Sequence, residues 1–210
     1  MSLINDLHWR YATKKMTGEK VSHDKIEYIL EAARLAPSSS GLQPYKIFVI
    51  SNPTLLEKLK PYSFNQEQIT QCSHLLVWAA WDSYSLEKIE KEFNYILSER
   101  GLPLTQMDDY KKLLWGMYEP LGAEWHAIHT AKQAYISFSM AIAAAAEQKV
   151  DATPMEGFDP QAYDQILGMK EKGLKTAVIL PIGYRDSGND WNENLKKVRR
   201  PMDQLVTEIE

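Results

Sequence analysis

The chain has 210 residues (24.1 kDa), 44% of them apolar, a formal net charge of −4 and a pI near 5.8. Such length and composition suit a globular protein of one domain with a substantial core, or of two small ones, and argue against disorder. The acidic balance argues against a nucleic-acid surface, so any anion site has to be local.

The N-terminal MSLINDLHWRYATKK lacks the long apolar core and small-residue cleavage pattern of a signal peptide. Ile26, Ile29, Leu30 and Ala33 recur at helical spacing, which predicts an amphipathic helix over 23–34 that ends before Pro37. The stretch APSSSGLQP (36–44) follows and leads at once into a strand, YKIFVI. Asn52 and Pro53 supply an N-cap and first-turn pair for a helix through Lys60. Cys72, the only cysteine, cannot form an internal disulfide; it reads as a small buried hydrophobe ahead of a buried strand, HLLVWAAW (74–81).

Helical patterns continue over 86–99 (Leu86, Ile89, Phe93, Ile96 and Leu97, stopped by Gly101) and roughly 105–118. The longest uncharged run, QAYISFSMAIAAAA (133–146), is shorter than the roughly 20 residues of a membrane span and reads as a buried central helix. A polar strip, AEWHAIHTAK, leads into it, as in a helix that enters a core or a subunit interface from solvent. Asp159 and Pro160 open a short helix, and KTAVILPIGY (175–184) is the last strand. The polar stretch 186–210 reads as an extended arm. With no repeat, linker or low-complexity tract, the organisation is one α+β domain over 1–210 with a C-terminal arm, and the expected location is the cytoplasm.

Familiar signatures are missing. No G-x-G-x-x-G occurs, and the glycines at 168 and 173 have the spacing of a P-loop start but are followed by Leu174 where a lysine is needed. His126 and His129 lie three apart on a helix, yet no further ligand completes a metal set, so both are expected as exposed helix residues. What remains is Arg10 and Lys14 near one end, Lys197 and Arg199 near the other, and PSSSG and PMEG between. In an acidic chain these suggest a phosphate clamp built from the two chain ends plus two donor-rich loops.

Seven motifs in order carry a resemblance over nearly the whole chain: R-x-x-T-K at 10–14, A-P-S-S-x-x-x-Q-P at 36–44, F-N at 64–65, A-E-W-x-x-x-x-x-A-K-Q at 123–133, P-x-E-G-F at 154–158, G-x-K-E-K-G at 168–173 and K-x-R-x-P at 197–201. In these the sequence resembles the nitroreductase family of FMN-dependent NAD(P)H oxidoreductases, in particular its oxygen-insensitive bacterial members. The resemblance implies a mainly antiparallel sheet wrapped by helices, in an intertwined homodimer whose C-terminal arms each add a strand to the partner's sheet. It also implies FMN in the dimer interface, NADH or NADPH as donor and a small-molecule oxidant such as a nitroaromatic or a quinone, served in a ping-pong hydride cycle. No membrane and no nucleic acid are involved.

The same resemblance assigns residues. Arg10, Lys197 and Arg199 would hold the FMN phosphate, and Lys14 would lie near N1 and O2 of the ring, where negative charge collects on reduction. Pro37, Ser38, Ser39 and Gly41 would touch the flavin bound mainly by the other subunit; a helix end and turn explain Pro37 but not three consecutive serines. Asn65 would bond the pyrimidine edge. Pro154, Met155, Glu156 and Gly157 would face the ring, with the Glu156 and Gly157 N–H groups aimed at N5 and O4. Ala12 and Gln68 stand at two further contact positions where relatives carry serine and lysine. Ser40, Leu114, Trp115 and Tyr118 are candidates for substrate contact, although helix 105–118 needs apolar residues for packing too. A flavin store or chaperone with little turnover is the alternative reading, and Ala12 and Gln68 favour it.

Overall fold

The computed structural model describes residues 2–210. Its centre is a four-stranded antiparallel sheet of order β1-β2-β4-β3, with β1 Tyr45–Ile50, β2 His74–Trp81, β3 Asp151–Ala152 and β4 Leu174–Gly183. Tyr45 pairs with Ala80 at one end of the β1–β2 ladder and Ile50 with Leu75 at the other. β2 also pairs antiparallel with β4, through a register shift between Trp78 and Ala79.

Helices cover both faces of this sheet, which explains why β2 is apolar without alternation. On one face Leu76, Trp78, Leu180 and Ile182 pack against α2 (His23–Arg34) and α7 (Gly122–Glu147). Trp78 donates its indole N–H to Ser137 Oγ at 3.0 Å, and the Ser137 hydroxyl donates to the Ala33 carbonyl at 2.9 Å. That chain fastens the middle of α7 to both β2 and α2. On the other face Leu75, Val77 and Ile179 meet Leu56 and Leu59 of α3 (Pro53–Leu59), Ile69 of α4 (Gln68–Gln71) and Tyr163 of α8 (Pro160–Leu167). Cys72 is buried here, and burial pushes its thiol up to about 12, which leaves it an inert hydrophobe.

A third apolar cluster joins α5 (Leu86–Glu99) to α6 (Asp108–Tyr118) through Ile89, Phe93, Leu114 and Tyr118. Two expected caps are present: Asn52 Oδ1 accepts the Leu55 N–H at 3.1 Å, and Asp159 Oδ1 accepts those of Gln161 and Ala162. The central helix begins at Gly122, eleven residues before the run that announced it, because AEWHAIHTAK is helical as well. The N-terminal α1 (Leu3–Trp9) packs against α7. The arm is not extended throughout as expected: 187–189 and 191–194 form turns. In these the N–H groups of Asn189 and Asp190 donate to the Asp186 carbonyl and that of Glu193 to the Asp190 carbonyl, because these polar residues bond within their own segment. The stretch 196–201 is extended and α9 (Met202–Leu205) follows; beyond Arg199 the backbone hydrogen bonds are local, Gln204 to Pro201 and Val206 to Met202.

Candidate functional site

Residues 10–16 run beside the start of the arm. Met16 forms a β-bridge with Arg185, and the Asp186 N–H donates to the Lys15 carbonyl at 3.0 Å. Two buried carboxylates bolt these segments together. Asp151 accepts the Arg185 guanidinium through both oxygens and the Thr13 hydroxyl at 3.2 Å. Asp190 accepts the Lys14 N–H at 2.7 Å, the Tyr11 hydroxyl at 3.0 Å and the Asn192 N–H at 2.9 Å. Asn192 in turn donates to the Ala12 carbonyl at 3.0 Å.

Burial alone would push the Asp190 carboxyl up, but the N–H groups of Lys14 and Asn192 and the Tyr11 hydroxyl outweigh it and hold it below the usual carboxylate range. A lowered folded-state pKa means that Asp190 stabilises the fold above about pH 4 and that this contribution is lost as pH falls further, through the folded value. Melting temperatures of the wild type and Asp190→Asn should therefore differ at pH 7 and converge towards pH 3. A constant gap across that range would show that the charge is not what Asp190 contributes.

Past Asp190 the arm returns over the end of α1, where the Lys197 ammonium donates to the carbonyls of Leu7, His8 and Arg10. A cation at these last carbonyls suits the helix dipole. The result is a cavity of about 370 Å³ lined by Arg10, Lys196, Lys197 and Arg199 together with Tyr11, Ala12 and Pro154. Among the described residues no carboxylate lines it. Burial and then the Arg199 charge push the Arg10 guanidinium down, and burial, Arg10 and Arg199 do the same to Lys197. The Arg10 Nε is buried and has no hydrogen-bond partner among the described residues. An unpaired charged donor of that kind costs about 1–3 kcal/mol or more, which an anion in the cavity would relieve.

Pro154 continues this wall into the segment up to Gly157. Met155, expected to face the flavin ring, instead pairs in both directions with Ile179 and buries its side chain in the core, so neither its N–H nor its side chain is free for a ligand. Glu156 is exposed and accepts the Tyr135 hydroxyl at 2.6 Å. The N–H groups of Glu156 and Gly157 have no acceptor among the described residues. Gly157 lies under the Phe64 ring, where an added Cβ would make only ordinary contact at 3.5 Å. Phe64 and Asn65 are both exposed with φ of 53° and 54°. Gln68 is buried and donates to Gln66 Oε1 at 2.9 Å; Gln66 donates to the Gly157 carbonyl at 3.3 Å. The Lys14 ammonium makes no ion pair among the described residues.

The serine loop lies elsewhere in the chain: neither it nor α6 lines the cation cavity. Ser38 Oγ accepts the Gln43 N–H at 2.9 Å, and the Ser39 N–H donates to Gln133 Oε1 at 2.8 Å. Ser39 Oγ stands 3.4 Å from the Tyr118 hydroxyl, and Ser40 Oγ 3.1 Å from that of Tyr110. Pro37 and Gly41 are the exposed members, Gly41 with φ of +67°. On α6 Leu114 and Tyr118 are buried in the third cluster and Trp115 is half-buried, whereas Tyr110, Leu113 and Met117 are exposed. Those three escaped the sequence reading because nothing in an amphipathic pattern marks an apolar residue as outward-facing.

His126 and His129 are not exposed, contrary to expectation. His126 is buried and its Nε2–H donates to the Tyr118 carbonyl at 2.8 Å; His129 Nδ1 meets the Tyr84 hydroxyl at 2.8 Å and stacks on Trp125. One side of the strip AEWHAIHTAK, that of Trp125, His126 and His129, faces the aromatic side chains of α6 and of the β2–α5 connection, while Glu124 and Ile128 stay exposed, which is why a polar composition misled. Burial, and then Lys132 and His126, push His129 down. Among the described residues no group of three or more metal-ligating side chains occurs, and no helix is long and apolar enough to cross a membrane.

Comparison with known proteins gives the family. The model of the nitroreductase family matches residues 7–184, and the chain belongs to that family. It is 30% identical over 216 residues to the major NAD(P)H-flavin oxidoreductase of Aliivibrio fischeri, covering 98% of this chain and 97% of that one. It is 27% identical to the oxygen-insensitive NAD(P)H nitroreductase of Salmonella typhimurium over the full length of both. A protein of Exiguobacterium sibiricum solved in complex with FMN shares the fold with a TM-score of 0.82 at 22% identity, covering 100% of this chain and 98% of that one.

Proposed function

We infer that the protein is an FMN-dependent oxidoreductase that passes electrons from NADH or NADPH to a small oxidant in a ping-pong cycle. The observation that carries this reading is the acid-free cavity at the chain ends, where Arg10 Nε is buried without a partner beside Lys197 and Arg199. A phosphomonoester fits that donor set, since a guanidinium bonds it through paired, charge-assisted hydrogen bonds worth about 1.5–3 kcal/mol each. The chain's membership of the nitroreductase family, its NAD(P)H-oxidoreductase relatives and the FMN complex that shares its fold favour FMN as the phosphate's owner.

Bound FMN supplies the two-electron hydride chemistry, and the chain's residues bind and orient it. Arg10 and Arg199 hold the phosphate, while Lys197 ties the arm to α1 beside it. Lys14 places positive charge at the pyrimidine edge, with Asn65 as a hydrogen-bonding neighbour. The free N–H groups of Glu156 and Gly157 donate to the flavin ring, and the missing side chain of Gly157, which Phe64 does not require, admits its close approach. The Ser38–Gly41 loop completes the site from a second copy, with α6 beside it facing the oxidant. A homodimer is supported by apolar residues that the single chain leaves in water: Ile128, Ile136 and Met140 of α7 are 50%, 40% and 42% exposed, and Val198, Met202 and Ile209 of the arm are more so.

The protein should purify yellow, with about one FMN and no FAD released per chain, because no adenine-binding motif accompanies the phosphate cavity. Denaturation followed by chromatography of the supernatant checks this. A colourless protein that ignores added FMN ends the reading.

A further inference from the structure

Gln133 closes the motif at 123–133, and the cation cavity gives it nothing to do. It sits in the middle of α7, only 6% exposed, and faces the serine loop. Its Oε1 accepts the Ser39 N–H at 2.8 Å, and its Nε2 donates to the His129 carbonyl one turn earlier at 3.1 Å. That carbonyl can only accept, so the amide is held in one orientation with its oxygen presented to Ser39. The loop needs such an anchor. Ser40 has φ of +53° and Gln43 of +43°, left-handed values that residues with a Cβ keep only where their surroundings enforce them.

We propose that Gln133 is a positioning residue that holds the Ser38–Gly41 backbone, from the central helix, in the conformation in which the loop meets FMN. This rests on the reading above that the serine loop completes the flavin site. The Tyr118 hydroxyl, 3.4 Å from Ser39 Oγ, is a second and weaker tie to the same residue. Without the Gln133 oxygen, the Ser39 N–H loses its acceptor and the strained turn is free to relax. FMN then has to re-order the loop when it binds, which lowers affinity without touching the phosphate cavity.

The test is titration of the full-length apoprotein with FMN, followed by flavin fluorescence, for the wild type and three variants. Gln133→Leu should bind FMN about 10-fold more weakly, the size of one lost hydrogen bond with its acceptor site left empty. Gln133→Glu, whose carboxyl in its neutral form keeps an oxygen for the Ser39 N–H and a proton for the His129 carbonyl, should recover towards the wild-type affinity as pH is lowered from about 8 to about 5.5, whereas Gln133→Leu should not. Tyr118→Phe should lose about 3-fold. Equal weakening by the leucine and glutamate variants at both pH values would mean that packing of α7 is all that matters, and wild-type affinity in Gln133→Leu would overturn the anchor outright. If Gln133→Leu does not fold, an unchanged affinity in Tyr118→Phe overturns it instead. A wild-type protein that binds no FMN removes the flavin reading and the anchor with it, so the two failures are told apart by the wild type alone.

Discussion

Removal of residues 187–210 should abolish flavin binding and dimerisation together. The truncation takes away Arg199 and Lys197, which line the anion cavity beside Arg10, and also Asp190 and Asn192, which hold Tyr11, Ala12 and Lys14 in place. Loss of two cations and two or more charge-assisted bonds, each worth about 1.5–3 kcal/mol, should weaken FMN by about 1,000-fold or more. The arm's exposed Val198, Met202, Leu205 and Ile209 leave with it, and so does the apolar surface it offers a second copy. Binding and association are linked when each site draws on two chains, so neither should survive alone. Sedimentation read at the flavin band checks the result. A stable monomer that still carries FMN would show that one chain holds a whole site.

Lys14→Met should leave FMN bound but make it a poorer electron acceptor. The Lys14 backbone is held by Asp190 independently of its side chain, and its ammonium makes no ion pair among the described residues, so the substitution removes a free charge without loosening the segment. Loss of one oriented positive charge from where negative charge develops should slow reduction by NAD(P)H about 100-fold and lower the flavin potential. The affinity for FMN should change little, because the phosphate contacts remain. Rapid-mixing reduction and a spectroelectrochemical titration of the same preparation separate the two effects. Release of the flavin with unchanged chemistry in the residual holoenzyme would contradict the role.

The sheet was legible in the sequence because β1, β2 and β4 are apolar runs long enough to stand out, and the caps at Asn52 and Asp159 because their chemistry is local. β3 has two residues and α1 seven, too short for any period to show. The first half of α7 was read as a polar lead-in because composition does not reveal that its histidines and tryptophan meet Tyr84 and Tyr118. The cations of the site were visible for the opposite reason: nothing local explains Arg10, Lys197 and Arg199. The roles of Asp190 and Gln133 were not visible, since their partners lie 176 and 94 residues away and only the folded chain brings them together.

Anaerobic mixing of the purified protein with NADH and, separately, NADPH is the most direct test of the proposed activity. The expected result is rapid bleaching of the flavin band by at least one of the two, followed by recovery of the band when a quinone or nitroaromatic is added. A yellow protein whose band neither nucleotide bleaches would be a flavin store, and the oxidoreductase reading would fall.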